Sequence, residues 1–209
     1  MREALDTTTP FSTIDPMVSH RLKAVHEALE FGDWQTAIDN DDNLRIRLLE
    51  QGVDNPENRD SIKWDDANLF FLSCVELKNG KPAPLEAGVS KEKFGRFPYG
   101  DGSSITYIQE WIRENKRMDG FTELTELIDS LSTRLVDTKK ENGIGGLTMK
   151  GWLTIEEVKQ LKKLISSRCW MPAADEPLDG GCQDAAKHFL AMLRSAEKRN
   201  CGILLRIHD

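Results

Sequence analysis

The sequence predicts an α+β protein that is mostly α-helical, a single domain of about seven helices with a small sheet. Apolar residues recur at helical spacing along most of the chain, and Gly or Asn follows several of these runs. The last apolar run, 203–208, is short and follows Asn200 and Gly202, so we expect a short C-terminal strand there. With 209 residues, 39% of them hydrophobic, the chain is long enough to bury a sizeable core.

Composition divides the chain into an arm and a globular part. Residues 1–15 are polar and include three consecutive threonines, so we expect a flexible N-terminal arm unless it docks onto the rest. Residues 16–209 are predicted to form the globular domain. Within it, 80–104 is rich in Pro and Gly, and connections of this length are uncommon in compact domains and tend to be functional or mobile. A subdivision of the domain is therefore possible near 80–104.

Four helices are predicted in the first half. The first begins at Pro16 and ends before Gly32, with an apolar face formed by Val18, Leu22, Val25 and Leu29. Two short helices follow over 34–38 and 41–51. Asp65 is a suitable N-cap for a fourth helix that Gly80 would end. Residues 69–77 also fit a buried strand, because a short apolar run does not discriminate between the two structures.

The second half carries clearer helix signals. Ser103 or Ser104 can cap one helix, and a strongly amphipathic helix runs through 121–135. Thr154 and Glu157 fit a capping box that starts the next helix, and the last helix starts near Cys182. The glycine-rich stretch 141–151 is interpreted as turns, because no strand signal precedes it.

Acidic residues are concentrated in one segment of the chain. Residues 27–66 contain twelve acidic and four basic side chains, a net charge of −8 in a chain whose net charge is −7. Binding to a nucleic-acid backbone needs Lys and Arg and is therefore disfavoured here. A basic protein would be steered towards this segment instead. The acidic face alternatively serves only to keep the protein in solution.

The predicted function is that of a non-enzymatic cytoplasmic interaction protein that uses this acidic face against a basic protein partner. An immunity or antitoxin protein that holds a basic toxin enzyme would be one instance. The candidate partner-binding residues are Asp39, Asp41, Asp42, Asp65 and Asp66. No apolar run is long enough to span a bilayer and no secretory signal is recognisable, so we expect a cytoplasmic protein that makes no membrane contact.

The stretch LDGGCQDAAKHFL supports an alternative, thiol-dependent hydrolase or transferase. Cys182 lies at a helix start after two glycines, where unpaired backbone N–H groups and the helix dipole lower a thiol pKa. His208 and Asp209 are the downstream residues available as base and orienting group. His188 follows six residues later and faces another side of the helix. The other interpretation of Cys182 is a small buried residue at a helix start.

Metal and cofactor sites are not predicted. Cys169, Cys182, His188, Cys201 and His208 cluster near the C-terminus, but none of them forms the closely spaced pairs that structural zinc sites use. The glycine stretches match neither a P-loop nor a dinucleotide fingerprint. A last possibility is a small-molecule sensor, with a pocket beneath the 80–104 connection lined by Phe94, Phe97 and Tyr99.

Overall fold

The computed structural model describes residues 11–85, 89–95, 97 and 103–208. Within these residues the chain forms nine α-helices and eight strands, so the prediction of an α+β, mostly α protein is confirmed and the number of helices exceeds the seven expected. In chain order the elements are β1 (Phe11–Met17), α1 (Ser19–Phe31), α2 (Trp34–Asp39), α3 (Asp42–Glu50), α4 (Asp66–Cys74), β2 (Leu77–Lys78), β3 (Lys81–Pro82), α5 (Val89–Gly95), α6 (Ser104–Trp111), β4 (Ile112–Glu114), α7 (Phe121–Thr133), β5 (Asn142–Gly143), β6 (Leu147–Leu153), α8 (Ile155–Ser167), β7 (Trp170–Pro172), α9 (Gly181–Arg199) and β8 (Gly202–His208).

A four-stranded antiparallel sheet lies at the centre of the fold, with the strand order β1-β8-β6-β5. The predicted C-terminal strand is confirmed as β8, and it occupies an interior position between β1 and β6. Phe11 lies opposite His208 and Met17 opposite Gly202, so the two ends of the described chain are paired along their whole length. The sheet is therefore assembled from strands far apart in sequence.

The sheet separates two helical layers, each with its own hydrophobic core. Successive residues of a strand point to opposite faces. Accordingly, Leu204 packs with the helices α1–α4, whereas Ile203 and Leu205 pack with α5–α9. We call these two sets of helices the N-terminal layer and the C-terminal layer. Because both faces of β8 are covered, its residues form a continuous apolar run rather than an alternating one.

Several predicted helix ends are confirmed, and each is set by residues close to it in sequence. Thr154 accepts a hydrogen bond from the Glu157 amide, and the Glu157 carboxylate accepts one from the Thr154 amide, so the capping box is confirmed. Gly32 ends α1 with a φ of 79°, in the left-handed region that glycine adopts without strain. Asn200 ends α9 in the same way, with a φ of 53°.

The prediction of a flexible arm over 1–15 is wrong for residues 11–15, which belong to β1. Ile14 and Asp15 are buried, and the Asp15 carboxylate accepts hydrogen bonds from Arg206 on β8, so this segment docks through both packing and charge. Residues 1–10 lie outside the described residues. The first helix accordingly starts at Ser19, and Pro16 lies in the edge strand β1, where its missing N–H is tolerated.

Two glycine-containing stretches form hairpins. Gly80 does not end a helix: α4 stops at Cys74, and Asn79 and Gly80, both with positive φ, join β2 to β3. Stretch 141–151 is not only turns, because it contains β5 and part of β6. The backbone of α7 approaches Gly151 so closely that an added Cβ would lie 2.2 Å from the Ser130 carbonyl oxygen. That approach explains a glycine inside a strand.

Within the part of the chain that the structure describes, no helix is both long enough and apolar enough to cross a membrane.

Candidate functional site

Asp41, a candidate partner-binding residue, is a structural residue of the N-terminal layer. Its two carboxylate oxygens accept hydrogen bonds from Arg21 Nε at 2.6 Å and Arg21 Nη2 at 3.1 Å. It also caps α3 by accepting from the Leu44 amide at 2.9 Å. Partial burial raises the pKa of Asp41, but the Arg21 guanidinium and the Leu44 amide outweigh it and hold the pKa at about 2. The charge of Asp41 is therefore matched within the molecule.

Asp65 and Asp66 also serve the fold. The predicted N-cap role of Asp65 is confirmed, because its carboxylate accepts from the Asn68 amide at 2.8 Å. The same carboxylate accepts from the Ile144 amide at 3.0 Å and so ties the hairpin of β5 and β6 to α4. Asp66 accepts from Arg59 Nη2 at 2.5 Å. Both carboxylates are thus already engaged by groups of this chain.

Asp39 and Asp42 remain available to a partner. Both are exposed, and neither forms an ion pair among the described residues, although Asp39 accepts a hydrogen bond from Gln35. Four further acidic residues of the segment share these properties: Asp33, Glu50, Asp54 and Asp60. Two of the five suggested residues are therefore exposed and outside any described ion pair, together with four acidic residues that the sequence did not single out.

A groove of about 450 Å³ lies between α1 and α2 on the N-terminal layer. Its apolar lining comprises Ala24, Val25, Ala28, Phe31, Ala37 and Leu44. Glu27 and Asp33 contribute carboxylates to the same groove, and Glu27 has only a distant, exposed partner in Lys23, 3.8 Å away. Phe31 is the most exposed large apolar residue described, with 80% of its surface accessible. The groove thus combines an apolar lining, an aromatic side chain in water, the carboxylate of Asp33, which forms no ion pair among the described residues, and the weakly paired carboxylate of Glu27.

Cys182 lies near the start of α9, as predicted, but its environment suppresses ionisation. The residue is fully buried, and its amide donates a hydrogen bond to Glu176 Oε1. Burial raises the pKa of the Cys182 thiol to about 12, and the neighbouring Glu176 carboxylate adds to the shift. Burial likewise raises the pKa of Tyr107, which also contacts Glu176, to about 12. These three groups hold the chain that leads into α9.

The structure places His208 in a different environment from Cys182. The imidazole of His208 stacks on the ring of Phe11, with 4.3 Å between the ring centroids and 8° between the planes. Asp209 lies outside the described residues. His188 contacts Ser90 Oγ at 3.2 Å and Asp184 Oδ1 at 3.3 Å. The contacts of the two histidines give no support to a thiol activated by an imidazole.

The remaining cysteines are buried in the core as thiols. Cys169 contacts the carbonyl oxygen of Leu164, and Cys201 contacts that of Ala196, both within their own local turns. Among the described residues, no group of three or more His, Cys, Asp or Glu side chains is arranged to hold a metal ion.

A hollow of about 340 Å³ lies beneath part of the 80–104 connection. It is bounded by 82–85, by β1 and by Phe94, and it contains the Asp15–Arg206 ion pair. Phe94 is nearly fully buried and packs on Phe189, 5.6 Å between ring centroids. Phe97 packs on Tyr107 in the core, and Tyr99 lies outside the described residues. The small-molecule sensor therefore stays a prediction, and the hollow contains an ion pair where an apolar pocket was expected.

Sequence reasoning missed the groove and its most exposed residue. Phe31 sits at the end of α1, where an apolar side chain in a helical pattern is ordinarily assigned to the core. No local pattern distinguishes Phe31 from the core residues of α1, because its exposure depends on how the neighbouring helices pack. No family model, curated protein or solved structure matches this chain.

Proposed function

We propose that the protein is a non-enzymatic cytoplasmic interaction protein that binds a basic protein partner through its N-terminal layer. The partner contributes a cationic segment with an apolar side chain, which lies in the groove between α1 and α2. An immunity- or antitoxin-like protein that captures a basic toxin enzyme is one instance of this function.

The observation that carries the proposal is Phe31. A phenylalanine with 80% of its surface in water costs hydrophobic free energy that burial against a partner would recover. Aromatic side chains are also enriched among the residues that dominate binding energy at interfaces. Its position beside an apolar groove gives a partner both an anchor to cover and a surface to fill.

The charges around the groove favour a basic partner over a neutral one. Glu27 and Asp33 lie in the groove, and the exposed Asp39 and Asp42 follow within the next helices. Uncompensated surface charge accelerates the encounter with an oppositely charged protein and disfavours the wrong ones. The same charges contribute little to folding, since exposed charges interact weakly across water.

An enzymatic role for Cys182 has less support. A nucleophilic thiol requires a lowered pKa and an adjacent base, whereas this thiol is buried beside a carboxylate that disfavours the thiolate. Glu176 instead has a structural role, because it accepts a hydrogen bond from the Cys182 amide at the start of α9. The N-terminal groove is therefore the better candidate for function.

Binding to synthetic peptides tests the proposal without a known partner. The probe is a fluorescein-labelled peptide, called here the Lys/Leu peptide, in which Lys and Leu recur at amphipathic helical spacing. Fluorescence anisotropy measures its affinity for the intact protein. We expect Asp33→Lys and Phe31→Ser each to weaken binding about tenfold, because each removes one part of the recognition surface.

The matched control is Glu126→Lys, which makes the same charge change at an exposed position on α7 of the other layer. It should leave the affinity within about twofold of the unmodified protein at physiological salt, where charges far apart are screened. Equal losses for Asp33→Lys and Glu126→Lys would mean that only net charge matters, and the proposed surface would be wrong. Undiminished binding by Phe31→Ser would show that Phe31 does not anchor the partner, and the proposal would be wrong.

A further inference from the structure

The C-terminal layer carries a second groove, on the opposite side of the sheet. It has a volume of about 760 Å³ and lies between α9 on one wall and the end of α8 with β7 on the other. Several of its lining residues are exposed, including Arg168, Met171 and Lys187, so it is an open groove and not a closed cavity. Open grooves suit extended or helical peptide segments better than small ligands, which bind in enclosed clefts.

Three cations surround this groove and are not matched within the molecule. Arg168, Lys187 and Arg194 are exposed, and none of them forms an ion pair within the described ranges. The acidic residue among the lining side chains is Asp184, whose carboxylate lies 3.3 Å from His188 Nε2. The groove therefore presents positive charge in a chain whose net charge is −7.

Part of the groove between the cations is apolar. Its apolar lining comprises Ile165, Trp170, Met171, Pro172, Ala186 and Leu190. Met171 has 52% of its surface exposed, and methionine adapts well to varied apolar partners. The indole of Trp170 donates a hydrogen bond to the Ile165 carbonyl at 3.0 Å, which fixes the ring at the groove. A ligand consisting only of charge would leave this surface unused.

The order of residues along α9 specifies the spacing of a ligand. Lys187, Leu190 and Arg194 lie on one face of the helix, because they are separated by about one turn each. At about 1.5 Å per residue, the two cations are about 10 Å apart along the axis with an apolar side chain between them. Carboxylates seven residues apart on a helical peptide span the same distance and lie on one face of that helix.

We infer that this groove binds an acidic amphipathic peptide segment of a second partner. Two carboxylates about 10 Å apart would meet Lys187 and Arg194, and an apolar side chain between them would pack on Leu190 and Met171. Arg168 on the opposite wall adds a third contact for an acidic residue. The protein thereby offers two surfaces of opposite charge, one on each helical layer.

The test uses fluorescein-labelled helical peptides with two Glu residues seven positions apart and a Leu spaced three or four positions after the first Glu. We call these the Glu/Leu peptides, and anisotropy with the intact protein gives their affinities. At least one spacing should bind, and Lys187→Glu and Arg194→Glu should each weaken it about tenfold or more. Met171→Ser should weaken it about threefold, since part of an apolar contact is lost.

The matched control is Lys159→Glu, an exposed cation of α8 that does not line the groove. Its affinity should stay within about twofold of the unmodified protein, and circular dichroism should show all four variants folded. Equal weakening by Lys159→Glu, failure of every Glu/Leu peptide to bind, or unchanged binding by Lys187→Glu would overturn the inference. Displacement of the peptide by inorganic phosphate, beyond that by sodium chloride of equal ionic strength, would indicate a simple anion site and overturn it as well.

Discussion

The two helical layers pack on the same sheet but use charge in opposite ways. The N-terminal layer keeps charged pairs in its interior, such as Arg21 with Asp41, and leaves other carboxylates exposed. The C-terminal layer instead leaves cations that form no ion pair among the described residues around its groove. Net charge by segment is therefore a weak guide to function. What matters is which charges the fold already uses.

The interior of the N-terminal layer shows this use of charge most clearly. Arg21 joins three helices, because it pairs with Asp41 before α3 and its Nη1 donates to the Ser73 carbonyl on α4 at 3.3 Å. Arg47 lies nearby and donates to the Val75 carbonyl. Burial lowers the pKa of Arg47, and the neighbouring Arg21 lowers it further. Such buried pairs stabilise little by themselves, but removing one partner is costly.

Cysteine labelling gives the largest expected effect. Cys74 belongs to the N-terminal layer and Cys182 to the C-terminal layer, and burial raises the pKa of both thiols. In the folded protein at pH 8, we expect iodoacetamide to modify each at least about a hundredfold more slowly than in urea. Mass spectrometry of digested samples gives the rate at each position. Fast labelling confined to Cys182 would restore the thiol-dependent alternative.

Substitutions that shorten side chains of β8 test whether the two layers unfold together. Leu204→Ala removes packing from the N-terminal layer and Leu205→Ala from the C-terminal layer, and each should lower the free energy of unfolding by about 2–5 kcal/mol. Because both side chains sit on one shared strand, urea unfolding should remain a single transition in both variants. Circular dichroism and tryptophan fluorescence measure it. Separate transitions in the two variants would show that the layers are independent.

Substitutions of Asp41 and Asp42 compare a carboxylate that stabilises the fold with an exposed one. Asp41→Asn retains an N-cap but leaves Arg21 buried without its ion pair, so we expect a loss of about 1–3 kcal/mol of stability. Asp42→Asn should change stability by less than about 0.5 kcal/mol, because the side chain is exposed. Urea denaturation compares the two. Similar losses would mean that the Arg21–Asp41 pair contributes nothing specific.

The pH dependence of the same pair is the smallest effect. The pKa of Asp41 is depressed from 3.8 to about 2, so its contribution is complete above pH 4 and is lost as the pH falls towards 2. After allowance for solvent screening, the contribution is about 1–2 kcal/mol. The stability difference between the unmodified protein and Asp41→Asn should therefore shrink between pH 5 and pH 2. A difference independent of pH would contradict the assignment.

The features that the sequence predicted well are those set by neighbouring residues. The capping box at Thr154, the N-cap at Asp65 and the helix end at Gly32 each depend on groups within a few positions of one another. The sheet depends on strands that are far apart in sequence. Residues 11–15 of β1 were therefore interpreted as part of an arm, although they pair with β8. The close approach of α7 requires a glycine at position 151, and this glycine favoured the interpretation of β6 as a turn.

The binding surfaces were harder to predict for the same reason. Whether Asp41 faces a partner or Arg21 is decided by how α1 packs against α3, which no local pattern reveals. The exposure of Phe31 depends equally on packing. The cations of the second groove come from α9 and from Arg168, which the turn after α8 brings to its rim. The acidic segment was visible in sequence, but the sequence did not show which of its carboxylates the fold engages.

The most direct test of opposite-charge surfaces on the two layers measures each peptide, separately, against Asp33→Lys and Lys187→Glu. We predict that Asp33→Lys weakens binding of the Lys/Leu peptide about tenfold, and that Lys187→Glu weakens binding of the Glu/Leu peptides about tenfold. Each variant should leave the affinity for the other peptide within about twofold at physiological salt. If both variants shift both affinities according to net charge alone, the two surfaces do not exist as distinct sites.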